Sequence, residues 1–437
     1  MLLTFSKNPQ DIILNATTAG TYYLHVLSVD KAGNKKETIS EAVTVKVAFD
    51  LPGDVDGLTY KEGDEDTGIV AKDKTGNEWV WVEVPKSIYT TATSDTDYDA
   101  IYNDMKTYTS DYSDSDYTDA YINESGNFAN VTAYNNEKNR MLKSVYDNGG
   151  FWISRYEIGT FDAAESVAKN TTNVTTPVSQ QNAYPIVNKT QLQSQQIVRK
   201  MNSQANLLFG VQWDLTLMFL QEKGGLSVSE LKSDSTSWGN YHKASFTINR
   251  GQYQTSWSST SWTNATNKSK PSLSGWKLTT GAADRNCKMN IYDMAGNVWE
   301  WTLESDSSSY VVYRGGSGYS NGNSPAGERS NVILTSHYDV NIGLRAALYG
   351  DGTQQGGGST EPQTGAIDYG DLQWDDSYST ASATVSKTGS NTLELQYRVN
   401  TGEWQTVDSG YTITGLKDGD IVTACLFDGS SRGYYTT

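Results

Sequence analysis

Residues 290–304, NIYDMAGNVWEWTLE, crowd aromatic rings and the carboxylates of Asp293 and Glu300 around an Asp-Met-Ala-Gly-Asn turn. A stretch of this kind serves as a catalytic box, as a metal loop or as the packed core of a fold whose function lies elsewhere. Other groups able to do chemistry are sparse. The two cysteines, Cys287 and Cys425, fall in different expected domains, so no disulfide is expected, and zinc or iron–sulfur sites built on several thiolates are excluded by count. The three histidines, His25, His242 and His337, are far apart and none sits in an HExxH pairing. A His-rich metal site is therefore not expected. No pair of acids stands at a spacing that argues for acid–base work.

The composition says what must position these groups. A chain of 437 residues exceeds one ordinary core, so two to four domains are expected. Tyr (28), Gly (39) and Trp (12) are plentiful, which favours strands, turns and exposed loops over helical bundles. The same mixture suits binding loops, where rigid rings stand beside small polar groups. A net charge of −17 repels phosphate backbones, so no nucleic-acid partner is expected. No run is apolar for long enough to insert in a bilayer. The start, MLLTFSKNPQ, has no basic region followed by an apolar run, so no signal peptide is expected.

Residues 1–48 read as an immunoglobulin-like β module or a β-hairpin extension of the next domain: TYYLHVLSVD and EAVTVKVAF flank the turn Asp30–Asn34. The central domain spans 49–349. In it GNEWVWVEVP (76–85) is a strand with Trp79 and Trp81 on one side and Val80, Val82 and Val84 on the other. Residues 87–125, rich in Tyr and Asp, are expected to form an ordered surface excursion. GGFWISRYEIG (149–159) is a further strand. KTQLQSQQIVRKMN (189–202) is a helix with Thr190 as N-cap and Gln193 closing a capping box, and FGVQWDLTLMFLQEKGG (209–225) a more buried one. Residues 350–365 read as a flexible linker. Residues 366–437 then alternate as an immunoglobulin-like or fibronectin-like β-sandwich, as in TLELQYRV. The expected fold class is mainly β with some α.

GGFWISRYEIG, FGVQWDLTLMFL, NIYDMAGNVWEWT, YRGGSGY and NIGLR occur in that order, and together they resemble the formylglycine-generating enzyme and sulfatase-modifying-factor family over roughly residues 56–348. The resemblance implies a C-type-lectin-like fold for the central domain. It also implies a structural calcium at the turn, held by the side chain of Asp293, the carbonyls of Gly296 and Val298, and the carboxylate of Glu300. Oxygen ligands in a tight turn suit a hard cation. Asp293 and Glu300 hydrogen-bonding the turn without metal is the alternative, and both readings stand at this point. Trp299 and Trp301 read as core rings. Arg314 and Arg345 read as clamps on loop carbonyls or on Glu300.

The family's oxidase holds copper with two cysteines shortly after GGS. The matching positions here are Ser320 and Pro325, so no copper and no oxidase activity are expected. A diverged enzyme with unknown chemistry in the same cleft is the alternative reading. The fold is also used without catalysis, in the variable proteins of diversity-generating retroelements. There, adenine-directed mutation turns Asn codons into many residues but never Lys, Gln, Glu, Met or Trp. Between Tyr319 and Asn341 this chain has no Lys, Gln, Met or Trp, and Glu328 alone breaches the rule. An ordinary Asn/Ser/Gly-rich loop would look similar. Tyr319, His337 and Tyr338 are the expected anchors, with Ser320, Asn321, Asn323, Asn331, Ser336 and Asp339 as adaptable polar contacts. Val332, Ile333 and Leu334 form either a buried strand or an exposed patch. Gly318 stands where relatives carry Trp, which is expected to open the floor of the site. The resulting expectation is a display protein that binds a protein or glycan on a target cell surface, carried outside the cell on a phage virion or a bacterial surface.

Overall fold

The computed structural model describes residues 20–22, 25–29, 35–39, 43–45, 51–53, 55, 57–306, 310–332, 336–350, 366–369, 373–374, 380–388, 394–400, 402–417, 420, 422–427 and 432–436. The fold is mainly β with a few helices. The chain divides into two compact units, 1–353 and 354–437. Among the described residues no helix is long and apolar enough to cross a membrane.

The first unit is built on a six-stranded antiparallel sheet. Its strand order is Ala205–Leu207, Ala346–Leu348, Gly150–Ser154, Glu78–Glu83, Val70–Lys72 and Thr59–Glu62. The expected strand at 76–85 is therefore central. Trp79, Val80, Trp81 and Val82 are all buried because both faces of the sheet are covered, so alternation gives no wet side. A second sheet runs Arg329–Val332, Val311–Arg314, Trp299–Asp306 and Ile342–Leu344, with Tyr117–Thr118 also paired to Trp299–Asp306. Its neighbours are antiparallel except Trp299–Trp301, which lie parallel to Ile342–Leu344. Trp79, Trp152, Trp213 and Trp301 are fully buried in one continuous core.

The helix Gln191–Met201 begins with the expected capping box: the Thr190 hydroxyl accepts from the Gln193 amide, and the Gln193 side chain accepts from Thr190 N–H. The helix Gly210–Glu222 is buried from Gly210 to Leu220. Its first amides have no capping side chain of their own. Asp119 supplies one from a distance, its carboxylate accepting from Gly210 N at 2.6 Å and Val211 N at 3.0 Å. The Tyr/Asp-rich excursion is thus ordered and docked. It carries a helix, Tyr98–Tyr108, and the buried Asp104 accepts from the amides of Thr91 and Ala92, both at 2.9 Å. A second helix in this part, Val131–Asn148, starts at the N-cap Asn130 and stops at left-handed Gly149.

Near the N-terminus, Gly20–Tyr22 pairs with Val43–Val45 and His25–Val29 with Lys35–Ile39. The second unit, by itself, has two four-stranded antiparallel sheets. Val385, Leu395, Tyr397, Ile413 and Ala424 form its core. The linker expected at 350–365 lies, except for Gly350, outside the described residues.

Candidate functional site

The strip after Arg314 is anchored by a buried group of four charges. Arg314 and Arg329 are register partners on adjacent strands. Arg314 donates to Glu304 at 2.9 Å and Asp214 at 2.8 Å; Arg329 donates to the other oxygen of each at 2.7 Å. All four side chains are nearly inaccessible, so two guanidinium forks neutralise two carboxylates in a dry setting. Burial disfavours the charge on Arg329, yet Asp214 and Glu304 outweigh it and hold its pKa above the ordinary value. Residues 315–328 therefore form an arch with both feet fixed. Gly316 allows the first bend: it has φ +76, and a Cβ there would lie 2.3 Å from the carbonyl of Ser324.

The turn at 290–304 closes on protein groups. Glu300 receives the Arg345 guanidinium through Nε and Nη2 at 2.8 Å each, and Arg345 also donates to the carbonyls of Ser154 and Tyr292. Asp293 accepts from Gly281 N at 2.9 Å and Asn286 Nδ2 at 3.0 Å. The amide of Val298 and the side chain of Asn297 both donate to buried Glu157. Burial, then the charges of Asp293 and Glu300, push the Glu157 carboxyl well above the usual carboxylate range. Gly296 packs where a Cβ would meet the Asn240 carbonyl at 2.2 Å. The carboxylates of the expected calcium set, Asp293 and Glu300, are thus already engaged, and the cation beside Glu300 is Arg345. Of the two readings, these bonds to Asp293 and Glu300 suit closure of the turn by hydrogen bonds. Among the described residues no cluster of three or more His, Cys, Asp or Glu is placed to hold a metal.

The strip turns five side chains outward. Tyr319 is 48% exposed, Tyr338 is 38% exposed, and Asn321, Asn323 and Ser336 are exposed, whereas residues 314–318 and 342–348 are buried. His337 is half-buried, edge-on to Trp301 at 6.4 Å. Three of the expected contact residues are spent on the scaffold. Ser320 accepts from Ser317 N, Asn331 donates to Asp306 at 2.9 Å, and Asp339 accepts from Asn341 N at 2.8 Å. Their half-buried side chains order the strip more than they face outward. Val332 ends an edge strand and packs against the core; Ile333 and Leu334 lie outside the described residues.

Position 318 is filled rather than open. A Cβ on Gly318 would lie 2.5 Å from the Trp276 carbonyl and 3.1 Å from the Trp257 ring. Trp257 occupies the floor, tilted against Tyr319 with ring centroids 4.6 Å apart and clustered with Val298 and Val340. One buried indole therefore underlies both Tyr319 and the far end of the strip. Sequence reasoning missed this residue and its neighbours. Tyr184 packs on Trp262 at 4.9 Å, and Tyr253 stacks on Trp276 at 4.1 Å. The available signal was local: rings in a Ser/Thr loop without an apolar period have to pack on one another. Lys277 Nζ lies 5.2 Å from the Trp257 ring and 5.8 Å from Trp262, and donates to the Trp257 carbonyl. Burial lowers its pKa to about 7. Cys287 is a free thiol whose pKa burial pushes up to about 11, the opposite of a reactive thiolate.

Comparison with known proteins adds little to this geometry. No family model matches the chain, and no curated protein matches it. Among solved structures, Treponema denticola variable protein 1 is similar at 14% identity and a TM-score of 0.27. That match covers 46% of this chain and 85% of the other. The functional reading rests on the residues of the strip and its anchors.

Proposed function

We propose that the chain is a non-catalytic display protein. In this reading a C-type-lectin-like scaffold, flanked by immunoglobulin-like modules, presents the 319–339 strip to a protein or glycan on a target cell. The observation that carries it is the contrast inside one short segment: Tyr319, Asn321, Asn323, Ser336 and Tyr338 face solvent between ends locked by Arg314, Arg329 and the buried Ile342–Leu344 strand. A rigid frame with outward polar and aromatic side chains lowers the ordering cost of binding. The same contrast suits retroelement-directed diversification, because the exposed residues between the anchors, Tyr319, Asn321, Asn323, Ser336 and Tyr338, can change without touching the core. The setting we propose is a phage virion or a bacterial surface, with the protein acting in receptor binding or attachment.

The direct test is binding of labelled protein to panels of bacterial cells. Tyr319→Ala combined with Tyr338→Ala is expected to abolish binding while the melting temperature holds. Undiminished binding by a folded double variant sinks the reading. A reverse transcriptase gene beside a near-identical copy of the 314–345 coding segment is the expected genomic sign of diversification.

A further inference from the structure

An open groove of about 630 Å³ lies beside Ser336. Its walls are the turn at 124–126, the loop 170–172 and the first turns of the helix Gln191–Met201, with Ser336 at the rim. The volume falls in the range of small-ligand sites. The chemistry of the lining excludes most ligand classes. Among the described residues no Lys, Arg or His lines it and Glu124 is its one ionisable group, while Lys200 is bonded to the Thr172 carbonyl, so phosphate, sulfate and sialic acid meet an acidic group and little counter-charge. At the helix N-terminus the Thr190–Gln193 box already takes the amides of both residues, which lessens what is left for an anion. Among the described residues no aromatic ring lines the groove and Leu192 is its one aliphatic side chain, so the described lining gives a peptide no pocket for an apolar anchor. Hydroxyls and carboxamides remain, from Thr171, Thr172, Asn170, Gln193, Gln196 and Ser336. Each of these group types both donates and accepts, as a polyol requires.

We propose that this groove is a subsite for a neutral glycan chain, continuous through Ser336 with the displayed strip. It rests on the strip being a binding face and names the class of ligand that face reads at its Ser336 end.

The test is a glycan array carrying neutral, sialylated and sulfated oligosaccharides, followed by calorimetry with the best neutral binder. Thr172→Val with Gln196→Ala is expected to weaken that binding about tenfold or more, the loss of one to two hydrogen bonds. Ser336→Trp is a second, steric variant expected to block the groove. Both alter groove-lining residues outside the core, and equal melting temperatures establish that they fold. Lys74→Ala, at an exposed position outside both the strip and the groove, is expected to leave the neutral-glycan affinity within about threefold, which is below one lost hydrogen bond. An array with no neutral binder, or groove variants with unchanged affinity, overturns the proposal. If cell binding then still depends on Tyr319 and Tyr338, the subsite falls and the display reading stands. If cell binding depends on neither strip nor groove, both fall.

Discussion

Replacing Arg329 by Ala should separate the fixed residues of the strip from its displayed ones. Arg329 donates to Glu304, to Asp214 and to the Tyr112 carbonyl, each at 2.7 Å. Its removal leaves two buried carboxylates facing the single guanidinium of Arg314, whose distances to them are 2.9 and 2.8 Å. Three charge-assisted bonds summed naively would exceed the cost, because Arg314 and some admitted water compensate in part. Breaking a buried pair by removing one partner costs about 3–5 kcal/mol, and the remaining arginine argues for the lower half of that range. In a unit of this size that corresponds to a fall of roughly 4–6 °C in melting temperature. Urea titration followed by tryptophan fluorescence reads it as a lower midpoint at unchanged slope. Asn321→Ala in the same arch should stay within about 0.5 kcal/mol of the parent, as exposed sites do. An Arg329→Ala loss under about 1 kcal/mol, or an equal loss for Asn321→Ala, refutes the idea of an anchored arch.

Three further outcomes are expected. Lys277 releases its proton near pH 7 in the folded chain but near 10.5 when unfolded. Between those values the unfolded state binds more protons, so stability rises with pH; from pH 7.5 to 9.5 the parent should gain about 1–3 kcal/mol relative to Lys277→Met, and no gain refutes the buried-amine geometry. Because Arg345 occupies Glu300, EDTA and excess calcium should give the same melting curve, and a calcium-dependent rise of several degrees would show that the turn rearranges around the ion. Asp104→Ala should cost about 1–3 kcal/mol and loosen residues 91–92 in hydrogen exchange, since the amides of Thr91 and Ala92 lose a charged acceptor; unchanged protection there counts against the docking of that excursion.

Legibility in the sequence followed periodicity and caps. Thr190 and Gln193 announced their helix because both halves of the capping box are local, and Glu394–Val399 was readable because its residue types alternate polar and apolar, although Gln396 is itself buried. The strand Glu78–Glu83 could be found but not oriented, since both its faces are covered. The helix Val131–Asn148 was overlooked because its apolar positions are thin, although Asn130 and Gly149 mark its ends. Exposure of Tyr319 and Tyr338 matched the residue types, but the loss of Asn331 and Asp339 to Asp306 and Asn341 depends on tertiary neighbours that no spacing encodes. Trp257 beneath Tyr319, separated widely in sequence, was hidden for the same reason.

Strands Trp299–Asp306 and Ile342–Leu344 run side by side in the same direction, so the chain between them must travel the length of the sheet and return. The displayed residues lie on that return path. Ring-closure entropy grows only with the logarithm of loop length, about 0.6 kcal/mol for each doubling. Insertions beside Asn321 or Asn323 that keep the bond from Ser235 N to the Gly322 carbonyl therefore add little to the difficulty of closing the sheet.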